Sequence, residues 1–193
     1  HPDLNHFFML VPNAISISAE KLPAYAPVLN QSDYINDFTG GLNEKITVLD
    51  PRPILEQNRD QLLYYKTDHH WTTLGAWLSF QGVADAMGIK PDPDAYTVYP
   101  VTDSFSGALV SKSGYLTFTT DTIDVYIPQS EESYSVVNYV EEQKKSPSLY
   151  ASEQLKGKDK YAVFLAGNHP IIKIKNPVVN GKNLLVIKDS YAN

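Results

Sequence analysis

The sequence contains no cysteine among its 193 residues. Without thiols the chain forms no disulfide, builds no zinc ribbon and offers no thiolate nucleophile. This absence fits a cytosolic protein, and it fits equally a cell-surface protein that folds without disulfides. Any catalysis by this chain therefore depends on side chains other than a thiol.

Long apolar runs and basic clusters are also missing. No apolar run approaches the ~18 residues of a membrane-spanning helix. The net charge is -6 and the pI about 5.3, and Lys and Arg form no patch, so we predict no nucleic-acid partner. The chain begins HPDLNHFF, without an initiator Met or a signal peptide, so we expect that an upstream segment is absent.

The hydrophobic pattern is typical of an α/β domain. Hydrophobic residues make up 42% of the chain and charged residues 20%, a globular composition. Apolar segments at residues 7–11 and in EKITVLD predict strands that alternate with helical patterns. Two more, KYAVFLAGN and NLLVIKDS, predict strands near the C-terminus. We therefore predict one domain over residues 1–193, incomplete at both ends, with a β-rich insertion over residues 98–140.

The most informative segment is YYKTDHHWTTLGAW, residues 64–77. A helical stripe follows it, so Asp68, His69 and His70 are predicted to lie in the loop that enters a helix. In an extended segment residues i and i+2 point the same way, about 6.5 Å apart. The Asp68 carboxylate can then orient His70 as a general base, while His69 points away. The alternative is structural, because an acid before a helix is often an N-cap.

A metal site is the second chemical interpretation of the same segment. Imidazole and carboxylate groups are good zinc ligands, but adjacent histidines diverge in an extended chain. The i, i+4 histidine pair of helical zinc sites is also missing. The other histidines, His1, His6 and His169, add no ligand spacing. We therefore predict no metal site and no cofactor.

Two segments near the C-terminus supply further candidate groups. LLVIKDS predicts a strand that delivers Ser190 to the carboxyl edge of the sheet, where a serine can act as a nucleophile. FLAGNHP places Gly167 and Asn168 after another strand, where the Asn168 amide can donate to an oxyanion and Gly167 allows close backbone approach. The structural alternatives are a helix cap at Asp189 or Ser190 and a turn at the Gly-Asn segment.

Four separated motifs, YYKTDHHWTTLGA, SGALVSKSG, YAVFLAGNHP and LLVIKDSYAN, resemble the DHHW family of bacterial proteins. That family is similar to the alginate O-acetylation proteins, whose fold is SGNH-hydrolase-like. The resemblance implies a flavodoxin-like, mostly parallel sheet with flanking helices, of which the C-terminal part is missing here. It also implies a triad in which Asp68 orients His70, His70 is the base and Ser190 is the nucleophile. Lys188 stands where SGNH hydrolases have a glycine, so we expect a different local turn.

The resemblance further implies a function at the cell surface. We expect an extracytoplasmic serine O-acetyl esterase or acetyltransferase that acts on a surface or exported polysaccharide beside a membrane-bound O-acyltransferase. A segment absent from this chain would hold it at the surface or the membrane. Substrate contacts are expected from four side chains: Trp71, Tyr64, Tyr65 and His169.

Two rival functions remain open. The first is a non-catalytic glycan-binding or polysaccharide-assembly protein with the same fold. In that protein aromatic side chains such as Tyr115 would matter more than the triad. The second and weaker rival is a metal-dependent esterase that uses His69 and His70.

Overall fold

Short strands and short helices alternate along the chain, as the hydrophobic pattern predicts. The computed structural model describes residues 4–114, 119–129, 136–176 and 183–193. The chain divides into two compact units. The first is His1–Tyr65 with His69–Asp92, and the second is Lys66–Asp68 with Pro93–Asn193.

Within its described residues, the first unit combines one parallel strand pair with four α-helices. Its strands are β1 (His6–Phe8) and β2 (Ile46–Val48), with Phe7 opposite Thr47. Its helices are α1 (Ala14–Ile17), α2 (Gln31–Gly40), α3 (Arg52–Gln57) and α4 (Thr73–Val83), and 3₁₀ turns span Ala19–Lys21 and Ala84–Met87.

Side-chain caps and small residues explain where these helices begin and how they pack. Asn30 accepts backbone hydrogen bonds at the start of α2, and Thr72 accepts one from Gly75 at the start of α4. The 3₁₀ turn after α4 ends at Gly88, whose φ of +67° is the left-handed conformation that glycine favours. A Cβ atom at Gly82 would lie 2.7 Å from the Ile54 side chain, so α3 and α4 pack closely because this residue is glycine.

The second unit is built mostly from antiparallel strands. Strand β3 (Tyr96–Phe105) pairs with β4 (Asp121–Pro128), and helix α5 (Ala108–Ser113) lies between them in the chain. The other strands, β5 (Val136–Tyr139), β6 (Lys144–Ser146) and β7 (Ile172–Lys175), form a sheet in the order β6-β5-β7. Further 3₁₀ helices span Pro93–Ala95, Ser152–Lys156, Lys160–Val163 and Ser190–Ala192.

Burial in β4 follows the period of two that a half-buried strand requires. Asp121, Ile123 and Val125 lie on the buried face, and the residues between them are partly exposed. Phe105 of β3 and Val137 of β5 are also fully buried in this unit. The alternation therefore carries one carboxylate, that of Asp121, into an apolar interior.

The α/β class is confirmed, with small sheets in place of one large one. The mostly parallel sheet is not confirmed, because among the described residues β1 and β2 form the single parallel pair. Strands β3, β4 and β5 occupy much of residues 98–140, and residues 115–118 and 130–135, with Tyr115, lie outside the described ranges. The one-domain organisation with an insertion there stays a prediction.

Both strands predicted near the C-terminus are wrong. Residues 160–163 form a 3₁₀ helix, and residues 184–187 form no strand. The side chains of Leu185 and Ile187 are 85% and 93% exposed. An apolar run becomes a strand only beside a pairing partner, and within the described ranges this run has none. No helix in the described part of the chain has the length and apolarity to cross a membrane.

Candidate active site

Residues 63–72 form a closed loop whose two arms belong to the first unit. Tyr64 and Trp71 form an antiparallel bridge, and the Tyr65 N–H donates to the His70 carbonyl at 3.2 Å. Below them the Thr72 N–H donates to the Leu63 carbonyl at 2.8 Å. Backbone hydrogen bonds therefore join the two arms, and the sequence TDHH lies at the tip of the loop.

Helix α4 holds the base of this loop. The Thr72 hydroxyl donates to the Leu62 carbonyl at 2.7 Å and accepts the Gly75 N–H at 3.2 Å. A Cβ atom at Gly75 would clash with the Leu63 carbonyl oxygen, so the close approach of helix and loop requires glycine there. Thr72 therefore caps the helix and also anchors the loop.

The aromatic residues of the loop lie in the core. Tyr64, Tyr65 and Trp71 are 7%, 4% and 7% exposed. The Tyr64 hydroxyl donates to the Pro12 carbonyl at 2.8 Å. Such burial favours a packing role for the three rings, and their predicted contact with substrate stays a prediction.

The two histidines do not diverge, which contradicts the geometry predicted for them. Their ring centroids are 4.0 Å apart, with 36° between the ring planes. The reason is that residues 66–70 are bent, whereas the prediction assumed an extended chain. Burial does separate the two, because His70 is 6% exposed and His69 lies on the surface.

The same bend brings the ligand atoms of three consecutive residues together. One ligand atom each from Asp68, His69 and His70 lies within 4.8 Å of the other two, a spacing that could hold a metal ion. Because the two histidines do not diverge, the argument from sequence against a metal site does not hold. The absence of a metal site stays a prediction.

In the second unit a buried carboxylate holds the residues just before Asp68. Asp121 is 3% exposed. Its Oδ1 accepts the Lys66 N–H at 3.0 Å, and its Oδ2 accepts the Thr67 N–H at 2.8 Å and the Thr67 hydroxyl at 2.6 Å. A buried charge is tolerated only with such partners. The backbone at residues 66 and 67 is thereby fixed to the start of β4.

Thr67 and Asp68 also satisfy the free N–H groups at the start of α5. The Thr67 hydroxyl accepts the Gly107 N–H at 3.0 Å, and the Thr67 carbonyl accepts the Leu109 N–H at 3.1 Å. Asp68 Oδ2 accepts the Ala108 N–H at 2.6 Å. Asp68 therefore does cap a helix, but the helix is α5 and not α4, which follows it in the chain.

Gly107 permits this approach. A Cβ atom at residue 107 would clash with Cβ and Oδ2 of Asp68. The motif SGALVSKSG therefore positions the candidate acid, by a glycine that leaves room for the carboxylate and by N–H groups that bind it.

The C-terminal segment ends in a short 3₁₀ helix that begins at Ser190. Ser190 is half-buried, and the cap of this helix is the Asp189 carboxylate accepting the Tyr191 N–H at 2.9 Å. Burial raises the pKa of Tyr191 well above its ordinary value, and the charges of Asp68 and Asp189 raise it further. The distance between Ser190 and His70 stays a prediction.

Asn168 is joined to the end of the same segment. Its Oδ1 accepts the Asn193 Nδ2–H at 3.1 Å, and the Lys188 ammonium donates to Asn193 Oδ1. Burial lowers the pKa of Lys188. The amide predicted to bind an oxyanion is thus tied to a residue three positions after the candidate nucleophile.

A left-handed turn, not a strand end, presents Asn168. Leu165, Ala166 and Gly167 have φ of +52°, +57° and +90°. Positive φ is unfavourable for Leu and Ala, so this turn stores backbone strain, which in proteins concentrates at functional sites. The structural alternative of a turn is therefore present, and Gly167 occupies its most positive φ.

His169 faces a different neighbourhood. Its Nδ1 lies 2.6 Å from Glu142 Oε1, and its ring centroid is 4.5 Å from that of Tyr139. The hydrogen bond to His169 lowers the pKa of Glu142. His169 is thus held by the residues of the β5-β6 hairpin.

Sequence reasoning missed Asp121 and Gly107. Asp121, Ile123 and Val125 are two positions apart in a strand with an alternating pattern, so their side chains lie on the same face. An acid among apolar residues on that face could have indicated a buried carboxylate with hydrogen-bond partners. Gly107 carries no such signal, because the clash that it avoids is with a residue 39 positions away.

The hydrogen bonds to Asp121 lead to a first prediction. Asp121→Asn replaces one acceptor oxygen by an NH₂ group that faces the N–H groups of residues 66 and 67. We expect the free energy of unfolding to fall by about 1.5–3 kcal/mol, as for the loss of hydrogen bonds to a charged group. Urea unfolding measures this, and Asp103→Asn, on the exposed face of the neighbouring strand, is the matched control. Equal stability of the two variants would contradict the proposed role.

Gly107 provides a second prediction. Gly107→Ala forces Asp68 away from Ala108, so we expect a loss of about 1–3 kcal/mol of stability, as for overpacking. A crystal structure of the variant should show the Asp68–Ala108 hydrogen bond broken. The control is Gly40→Ala, at a position with no atom within 4 Å of the added methyl group. An intact hydrogen bond with unchanged stability would refute the argument.

Comparison with known proteins identifies the fold family. Residues 4–169 match the family model described as SGNH hydrolase-like domain, acetyltransferase AlgX. A search among curated proteins by sequence finds no match.

The solved structures that resemble the chain include the following three. A DHHW family protein from Eubacterium siraeum is 24% identical with a TM-score of 0.81, over 97% of this chain and 63% of that one. Bacillus cereus PatB1 is 21% identical with a TM-score of 0.79, over 100% and 69%. The O-acetyltransferase domain of Pseudomonas putida AlgJ is 21% identical with a TM-score of 0.50, over 67% and 51%.

These identities support a likeness of fold, and the chain spans 63% of the length of the DHHW family protein. The resemblance predicted from the four motifs and the SGNH-hydrolase-like fold are confirmed. The chain belongs to the family of SGNH hydrolase-like domains described as acetyltransferase AlgX.

Proposed function

We propose that this protein is a serine-dependent O-acetyltransferase or acetyl esterase that acts on a polysaccharide. One observation carries the proposal. Ligand atoms of Asp68 and His70 lie within 4.8 Å of each other, and both residues are buried. The acid and the base of the proposed triad are therefore neighbours. Membership of a family described by an acetyltransferase supports the reaction class.

In the proposed reaction Asp68 orients His70, and His70 takes the proton of Ser190. The Ser190 oxygen then attacks the acetyl carbonyl carbon. His70 returns the proton to the departing oxygen, which leaves an acetyl ester on Ser190. In transfer, a sugar hydroxyl loses its proton to His70 and accepts the acetyl group; in hydrolysis, water takes the place of the sugar. In both cases His70 gives that proton to the Ser190 oxygen as the acetyl group leaves it, which regenerates the serine. Neither step needs a cofactor.

Asn168 is the side chain that we propose for the oxyanion. Its Oδ1 is bound by Asn193, and this contact directs the Nδ2–H groups to the other side of the amide. A preorganised donor aimed at the developing charge is worth about 2.7–4 kcal/mol of transition-state stabilisation. The strained turn at residues 165–167 supports this role, since strain of this kind persists where a side chain must be held in place.

The substrate and the setting are also proposals. We propose a cell-surface or exported polysaccharide as the acceptor, and a membrane-bound O-acyltransferase as a partner. The protein would then be extracytoplasmic, held at the surface or the membrane by a segment outside this chain. The likeness to a structure described as an O-acetyltransferase domain supports the transfer of an acetyl group.

Removal of the nucleophile tests the reaction. In the full-length protein Ser190→Ala should lower turnover of an acetyl-ester surrogate by at least about 10³-fold, because the acyl intermediate no longer forms. The control is Ser104→Ala, at an exposed serine of β3. Unchanged turnover in the Ser190→Ala variant would contradict the serine mechanism. Absence of turnover in the wild-type protein would favour the glycan-binding rival.

A metal-dependent esterase is the second candidate, favoured by the cluster of Asp68, His69 and His70. In this mechanism a divalent ion would activate water, and Ser190 would be dispensable. Prolonged treatment with a chelator separates the two. The serine mechanism predicts full turnover after chelation, whereas loss of turnover that zinc restores would establish the metal mechanism.

A further inference from the structure

Lys188 and Asn193 lie on either side of the turn that carries Ser190. The 3₁₀ helix Ser190–Ala192 lies between them in the chain, and the Asp189 carboxylate caps that helix. The Lys188 ammonium donates to Asn193 Oδ1, and it also donates to the Asp189 carbonyl at 3.4 Å. The Lys188 side chain therefore joins the two ends of the segment that presents the candidate nucleophile.

Asn193 extends this contact to Asn168. The Asn193 Nδ2–H donates to Asn168 Oδ1 at 3.1 Å. The turn that carries Asn168 is itself fixed to the rest of the second unit, because the Leu165 N–H donates to the Leu149 carbonyl at 2.9 Å. The ammonium of Lys188 and the amides of Asn193 and Asn168 thus form a chain of hydrogen bonds, which we call the donor relay.

The ammonium group determines the direction of each hydrogen bond in the donor relay. An ammonium group carries donors and no acceptor, so the Asn193 atom beside it must be the carbonyl oxygen. The Asn193 NH₂ group then faces Asn168, whose own oxygen must accept. The Asn168 NH₂ group is left on the far side of its amide, where it can donate to a substrate. A carboxylate in place of the ammonium would reverse both amides.

We propose that Lys188 is a positioning residue that holds the Asn168 NH₂ group toward the acyl carbonyl oxygen. The inference rests on the proposed function, in which Asn168 binds the oxyanion, and it assigns the orientation of that amide to a residue outside the triad. An ordinary lysine has a pKa of about 10.4. Burial lowers the pKa of Lys188 and the charge of Asp189 opposes this effect, so the side chain is an ammonium at neutral pH.

Nuclear magnetic resonance on the full-length protein measures the direction of the donor relay. A coupling across a hydrogen bond links the donor nitrogen to the acceptor carbonyl carbon, so the wild type should correlate Asn193 Nδ2 with Asn168 Cγ. Lys188→Glu replaces the donor by an acceptor and should reverse this correlation. The second variant is Asn193→Asp, which keeps the shape of the side chain. Its carboxylate accepts but does not donate, so the Asn168 NH₂ group should turn toward it.

Turnover of an acetyl-ester surrogate measures the consequence for catalysis. Lys188→Glu and Asn193→Asp should each lower kcat by about 10²-fold, the loss expected for one oxyanion donor. KM should change by less than about threefold, because the oxyanion forms only in the transition state. Lys188→Arg provides another group that only donates, and should recover most of the turnover lost in Lys188→Glu. The matched control is Lys158→Glu, at an exposed lysine.

The outcomes separate this inference from the proposed function. Absence of turnover in the wild type would overturn the proposed function and the role of Asn168 with it, whereas the direction of the donor relay would still be decided by the correlations. The inference is overturned if neither Lys188→Glu nor Asn193→Asp turns the Asn168 NH₂ group toward residue 193. A reversed relay with unchanged kcat, or no recovery of turnover in Lys188→Arg, would overturn it as well.

Discussion

The buried carboxylate of Asp121 is the constraint on which the candidate site depends. A charge on the apolar face of β4 is stable only when hydrogen-bond donors surround it, and the Lys66 and Thr67 groups supply three. The same hydrogen bonds also fix the donor groups of Lys66 and Thr67 in place. Since Asp68 follows Thr67 directly, the hydrogen bonds to Asp121 also fix the backbone that carries the proposed acid of the triad.

Each further contact of the second unit builds on that anchor. Thr67 and Asp68 bind the first N–H groups of α5, and Gly107 leaves the space in which Asp68 does so. The bend at these residues also brings ligand atoms of Asp68 and His70 within 4.8 Å of each other. This pair supports general-base catalysis more directly than the fold does, since one fold serves many functions.

Local rules predicted local features well. The helix predicted to follow residues 68–70 is confirmed as α4, because caps such as Thr72 act within a few residues. The prediction of two C-terminal strands was wrong because a strand needs a neighbouring strand to pair with, and composition does not reveal one. The prediction that His69 and His70 diverge was wrong for a related reason. The bend at residues 66–70 accompanies hydrogen bonds to Asp121 and α5, and these lie 40 to 55 residues away. Residues that support a site through distant contacts are the hardest to find from sequence.

The central claim is that Ser190 is a nucleophile activated in the surroundings of Asp68. Its most direct measurement is mass spectrometry of the folded full-length protein after exposure to a fluorophosphonate. The account predicts a single adduct on Ser190, formed more slowly when Asp68 is replaced by Asn. A folded protein that gains no adduct, or gains it on another residue, would contradict the account.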